Sequence, residues 1–391
     1  MKQVPRMRYA LFSHGFRPFF LGGALWAAAT MLFWAALLTG HITFDTPYGV
    51  VVWHSHELLF GYGSAIVAGF LLTAIPNWTG RPPVGGPVLF VLFAVWLSGR
   101  VAVLLADTVG LAAAAIADSL FLLGISAVVF REIVAGRNRR NLTVAVIVLL
   151  YCLTNIAFHL ELIQSGYPFH ATRAAVSVLV ILIMLIGGRI IPGFTRNWLA
   201  GQGARALPAP FSAFDRLALG VAVSALAIWT AFPWWRLTGW AFLVAALIQA
   251  VRLARWSGRR TFREPLVLIL HVGYAFVPLG FAAVGGAILW PYAVPVSGSL
   301  HAWTTGAIGV MTLAVMTRAS RGHSGRPLTA PASTQFIYLL VLLSAIARLA
   351  AALLPESAFP LLVFSSLAWA AAFTAFVIFY GPMLLGSRGE D

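Results

Sequence analysis

Charge is what this sequence has least of. Only 9% of its 391 residues are Asp, Glu, Lys or Arg, where a soluble domain carries about 25%. A chain so poor in charge cannot cover a water-facing surface, which argues against a separate soluble domain. Acidic residues are scarcest, 11 against 26 basic ones. Cysteine is nearly absent. With Cys152 alone, no intrachain disulfide can form and a zinc site built from several thiolates is excluded; its place inside an apolar segment suits packing. A c-type haem attachment motif is missing too, so any haem would be held non-covalently. No soluble cytochrome or quinone motif is recognisable.

What fills the chain is apolar. It is 60% hydrophobic, with a mean hydropathy of +0.90. Apolar runs of about 20 residues, the length that spans a bilayer as a helix, recur from end to end. They predict twelve transmembrane helices, at 17–39, 53–77, 86–106, 110–131, 141–164, 171–192, 212–232, 235–255, 265–289, 299–319, 334–354 and 359–383. The basic start followed by an apolar run mimics a signal peptide. The run from Arg17 to Thr39 is too long for one and lacks a small-residue cleavage pattern, so it reads as the first helix. The expected fold is an all-α integral membrane protein forming a single transmembrane domain over 1–391.

The net charge of +15 would suggest nucleic acid in a soluble protein. Here the cations collect in alternate loops, which the positive-inside rule explains without nucleic acid. One set of loops holds Lys2, Arg6 and Arg8; Arg81; Arg131, Arg137, Arg139 and Arg140; Arg196, Arg205 and Arg216; Arg252, Arg255, Arg259, Arg260 and Arg263; Arg318, Arg321 and Arg326. The other set is nearly bare of cations and holds Asp45, Asp107, Glu161 and Glu356. Both termini are therefore expected in the cytoplasm, with membrane lipid as the first partner.

That topology sets the depth of each histidine. His54 and His56 open the second helix and His301 opens the tenth, all at the outer end, with His159 near the outer end of the fifth. His271 stands alone in the inner half of the ninth. An internal echo links two of these places: HELLFG from His56 with TGRP at 79–82, and HAWTTG from His301 with SGRP at 324–327, at matching offsets. The starts of the first, fifth and ninth helices, Arg17, Asn141 and Pro265, are evenly spaced. Together these suggest three four-helix units, 17–133, 141–255 and 265–383, in a pseudo-threefold arrangement that makes helices 2, 6 and 10 equivalent.

Two residues along a helix turn the chain by about 200°, so His54 and His56 face different surroundings and are expected to play unequal roles. Glu57 shares a face with His54 and could fix its tautomer as a carboxylate acceptor. Gly61 and Gly63 leave room for a flat macrocycle. Such histidines also occur as interfacial residues, but their repeated placement on two helices favours ligands. Histidines at equal depth in an apolar, aromatic setting suit a haem between helices, and a neighbouring imidazole cluster suits copper. The narrow preference is for His56 with His301 on the haem and His54 with Glu57 at a second centre. His159 is a weaker candidate there, and His271 is a separate ligand, a proton-path group or a satisfied interior histidine. Arg100, Arg189 and Arg348, with Asp118 and Asn155, are deep enough to need partners.

Five blocks of the chain carry a resemblance. FSHGFRPFFLGGALW (12–26), WHSHELLFGYGSAIVAGFLLTAIPNWTGRP (53–82), GRIIPGFTRN (188–197), LHVGYAFVPLGF (270–281) and LHAWTTGAIGVMTLAVMTRASRGHSGRP (300–327) resemble the NnrS family across nearly the whole length. The resemblance implies a bacterial inner-membrane protein, containing haem and copper, linked to nitric oxide metabolism and nitrosative stress. It places His54, His56 and Glu57 in the family's helix-2 motif, His271 in its helix-9 motif, His301 and Arg318 in its helix-10 motif, and Arg17 and Arg189 in the first and sixth-helix blocks. The layout is also similar to the catalytic subunit of haem-copper oxidases and nitric oxide reductases. Here, though, the His-x-His pair is on helix 2, and the spans of helices 6 and 7 hold no histidine, which counts against an oxidase-type binuclear site. The expected function is a b-type haem protein, with copper, that binds or turns over nitric oxide or a related species using an electron donor. If it is an enzyme, it is an oxidoreductase. A transporter or metal-delivery protein, or a non-catalytic sensor, are the rival readings.

Overall fold

Backbone N–H and C=O groups have no water to bond in hydrocarbon, so an apolar run in a bilayer folds as a helix that satisfies itself. The computed structural model describes residues 10–386; Lys2, Arg6 and Arg8 of the first basic stretch lie outside them. Among the described residues there are twelve helices long and apolar enough to cross a membrane, and no strand. They are α1 (Phe16–Leu38), α2 (Val50–Thr79), α3 (Pro87–Leu104), α4 (Leu111–Ala135), α5 (Leu142–Ser165), α6 (Phe169–Gly201), α7 (Ala213–Ala231), α8 (Arg236–Ala254), α9 (Pro265–Leu289), α10 (Val296–His323), α11 (Ala332–Leu353) and α12 (Ala358–Leu385). Large apolar side chains such as Leu25, Phe90, Ile116 and Leu247 lie on the exterior, where lipid rather than water is their solvent.

Local chemistry sets the ends. Gly80 closes α2 in the left-handed region at φ 70°, a conformation a side chain would strain. Ser212 and Asp215 form a capping box at the head of α7. Pro265 stands in the first turn of α9, where its missing N–H is no loss. The predicted end of the sixth helix at 192 is passed: α6 runs through Pro192 to Gly201. Proline is tolerated in a membrane helix where neighbours re-satisfy the freed carbonyl.

The chain forms two compact units. One comprises the chain up to Phe169 with Met316–Pro327 and the stretch from Phe373; the other comprises His170–Val315 and Leu328–Ala372. In the first, α1 packs on α2, α3 on α4 and α4 on α5. In the second, α7 packs on α8, α8 on α9, and both α9 and α11 on the start of α10.

The internal echo extends to the backbone. Directly after His56 the helix widens into π turns over Glu57–Tyr62, and directly after His301 it does so again over Ala302–Val310. Such turns occur frequently at functional sites. In the first unit two side chains take up carbonyls there: Trp96 Nε1 donates to Gly61 O at 2.9 Å, and the Tyr151 hydroxyl donates to Leu59 O.

Candidate metal centre

His56, directly before the π turns, and Glu57, their first residue, meet side chains of α3, α4 and α5 of the same unit. Glu57 is fully buried and its carboxylate is saturated with donors. Trp26 Nε1 from α1 donates to Oε2 at 2.6 Å, and Arg100 Nη1 from α3 lies 2.8 Å from each oxygen. Arg100 is 1% exposed and also pairs with Asp118 of α4. The space for this pairing exists because residue 61 is glycine: a Cβ there would stand 2.6 Å from Arg100 Nη1 and 2.7 Å from Glu57 Oε2. The gap expected to receive a macrocycle at Gly61 is therefore filled by the ion pair.

His56 sits between the two carboxylates. Its Nδ1 is 2.9 Å from Glu57 Oε1 and its Nε2 is 3.1 Å from Asp118 Oδ2. Asp118 Oδ2 also meets His159 Nε2 of α5 at 2.9 Å and accepts from Asn155 Nδ2 at 2.7 Å. Ligand atoms of His56, Asp118 and His159 all lie within 4.8 Å of one another, and all three residues are buried. On the far side, His159 Nδ1 is 3.1 Å from the Tyr48 hydroxyl, in the loop before α2. Burial pushes the Tyr48 phenol up, with the Glu57 charge adding and Arg100 opposing; Tyr48 is a neutral hydroxyl that can orient His159.

Two imidazoles and a carboxylate form a donor set that suits a transition metal, with Tyr48 and Glu57 on the remaining imidazole nitrogens as outer partners. A second observation points the same way. Asn155 is fully buried beside the three ligands, and among the described residues its Oδ1 has no hydrogen-bond partner. A buried carbonyl oxygen without a donor is costly, and an ion held by the three neighbouring ligands, or a water on that ion, would supply the missing partner. The donor set fits a metal ion.

The other expected residues have other surroundings. His54, two residues from His56, stacks on Trp34 with ring centroids 4.2 Å apart. The two histidines of the pair do face different environments, but Glu57 holds His56 with Arg100 and Trp26 rather than acting as the second-sphere acceptor of His54. Arg17 is buried and donates to the carbonyls of Leu384 and Gly386, closing the end of α12. Arg189 and Arg318 are half-buried on α6 and α10.

In the second unit His301 is half-buried, and its Nδ1 donates to Ser297 O at 2.6 Å. A neutral imidazole bound this way carries its lone pair on Nε2, the arrangement of a metal-ligating histidine. His271 is buried with Nε2 2.8 Å from Thr195 Oγ1, and its Nδ1 faces Gly258 without a partner among the described residues. Arg252 was expected among the cations of a basic loop. It is instead 1% exposed, 3.1 Å from Asp215 Oδ1 and donating to Tyr274 and Met184 O. Gly188 opens the room for it, as Gly61 does for Arg100.

Sequence reasoning named Arg100, Asp118 and Asn155 as polar groups needing partners but did not join them to His56 and His159, and it missed Tyr48. The usable signal was their number: one arginine, one aspartate and one asparagine inside neighbouring apolar runs, where each alone is expensive. No curated protein matches the chain. The family model described as NnrS protein matches residues 10–388, nearly its whole length. With that match, twelve helices among the described residues that are long and apolar enough to cross a membrane, and a buried histidine–carboxylate cluster at the head of the motif-bearing second helix, this chain belongs to the NnrS family.

Proposed function

We propose that the protein acts in the bacterial response to nitric oxide as a resident metalloprotein of the cytoplasmic membrane, and that His56, Asp118 and His159 hold its metal ion. The observation that carries this reading is the convergence of those three donors, all 3% exposed or less, beside the orphaned Asn155 carbonyl. Copper is the ion the resemblance favours, and imidazole suits it. When bound, such an ion supplies a site for a small nitrogen oxide and for one-electron chemistry. The chain's own residues do the rest. Tyr48 and Glu57 orient the two imidazoles, Arg100 neutralises carboxylate charge, and Phe60 and Phe158 pack on the His56 ring and exclude water. Burial on this scale favours a resident ion over one in transit, which sets metal delivery aside.

His56 is thereby moved from the haem to the ion centre. His301, with its Nδ1 fixed on a carbonyl, remains the haem ligand to test, and His54 its alternative. His56→Ala and His159→Ala are expected to bring metal per protein, read by mass spectrometry on purified protein, down to background, while His54→Ala keeps it. Full metal content in His56→Ala would overturn the reading. Loss of the Soret band in His301→Ala, with metal retained, separates the two cofactors.

The orientation we propose follows the charge bias: both termini and the 131–141 loop in the cytoplasm, 40–52 and 290–298 outside. Asp45 is exposed, and the only native thiol, Cys152, is buried, so background labelling is low. Asp45→Cys is expected to react with an impermeant maleimide from the outside of intact cells. Reaction only in inverted vesicles would reverse the topology.

A further inference from the structure

We infer that Arg100 sets the charge of the centre so that it prefers a singly charged cation, Cu(I) among the metals that imidazole suits, over divalent ions. The inference rests on the metal centre proposed above and assigns to Arg100 the charge state of the ion that the centre holds.

The reasoning starts from charge. Glu57 and Asp118 bring two negative charges into a buried site, and Arg100, in contact with both, brings one positive charge. Histidine must be neutral to bind metal, so the surroundings of the ion carry one net negative charge. An ion of +1 makes the buried group neutral. An ion of +2 leaves an unpaired positive charge in the apolar interior, which is unfavourable. Among the first-row metals bound by imidazole, copper is the one that is commonly monovalent.

Arg100 also decides which oxygens remain. It takes both oxygens of Glu57 and Oδ1 of Asp118, so only Asp118 Oδ2 faces the two imidazoles. That restricts the centre to one oxygen and two imidazoles, too few oxygens for a hard ion such as Mg²⁺ or Ca²⁺; against Zn(II), which accepts such a donor set, the net charge is what discriminates. Gly61 keeps Arg100 in place, because any side chain there would collide with it.

The test uses the full chain purified in detergent. Cu(I) is offered in competition with a chromogenic chelator under reducing, oxygen-free conditions, and Zn(II) in a parallel titration with its own chelator. The readout is the ratio of the two affinities. Arg100→Gln makes the surroundings −2 and is expected to shift the ratio at least tenfold toward Zn(II). Glu57→Gln/Arg100→Gln restores −1 without the guanidinium and is expected to return the ratio to near wild type, which also serves if Arg100→Gln alone fails to fold. Metal bound at His56 and His159 with a ratio that does not follow the net charge would overturn the role of Arg100 and leave the centre standing. No binding of either ion by wild type, or binding indifferent to His56→Ala and His159→Ala, would overturn the centre and the inference with it.

Discussion

Arg100→Ala is expected to destabilise the protein by about 3–5 kcal/mol, the range for breaking a buried ion pair by removing one partner. Two carboxylates, Glu57 and Asp118, would be left in a site where every group is 3% exposed or less. Neither has another cation among the described residues except through the imidazoles of His56 and His159. The check is the thermal midpoint in detergent together with the monodisperse fraction on gel filtration. A second variant isolates the cause. Glu57→Gln/Arg100→Ala/Asp118→Asn removes all three charges, and neutral replacement of a buried ionic group is often close to neutral in stability. It is expected to recover much of the loss. An Arg100→Ala protein that melts with wild type would show that the charges are hydrated and not buried.

Gly61→Ala is expected to cost about 1–3 kcal/mol, the usual penalty of overpacking, from one added methyl. The new carbon would meet Arg100 Nη1 at 2.6 Å, Glu57 Oε2 at 2.7 Å and Trp26 Nε1 at 2.9 Å. Trp26 and Arg100 are both held on Glu57, so none of the three can retreat without stretching a hydrogen bond to that carboxylate. Gly193→Ala on α6 is the control. A Cβ there meets nothing within 4 Å, so the change is expected to be neutral or to stabilise by up to ~1 kcal/mol through helix propensity. Equal midpoints for the two variants would dissolve the account of Gly61.

The sequence was a good guide to the helices and a poor one to the site, for one physical reason. Hydropathy marks a span clearly, so the ninth helix was placed at 265–289 and is found at Pro265–Leu289. But in a membrane protein both the lipid-facing and the protein-facing sides of a helix are apolar. Without a polar face nothing in the sequence tells how α3, α4 and α5 are rotated. Arg100, Asp118 and His159 were each recognisable as costly, yet their meeting depends on that rotation. Tyr48 lay in a loop, where hydropathy says nothing. The π turns at 57–62 have no signature in residue type, and hydropathy reads straight through them as regular helix. His54 and His56 precede the widening, so regular helix geometry still separates their side chains by about 200°, and their surroundings differ.

A π turn is, in effect, one residue inserted into an α-helix whose flanks stay in phase. Elsewhere in α2, gaining or losing a residue would rotate the rest of the helix by about 100° and scramble what it buries. Within 57–62, and again within 302–310, a one-residue deletion can relax to ordinary helix and leave the distant turns where they were. These two stretches are therefore the places in their helices where chain length can drift during evolution without loss of the scaffold. A length change there would alter how Glu57 is aimed while the membrane span persists, so the fold and the centre can be inherited separately.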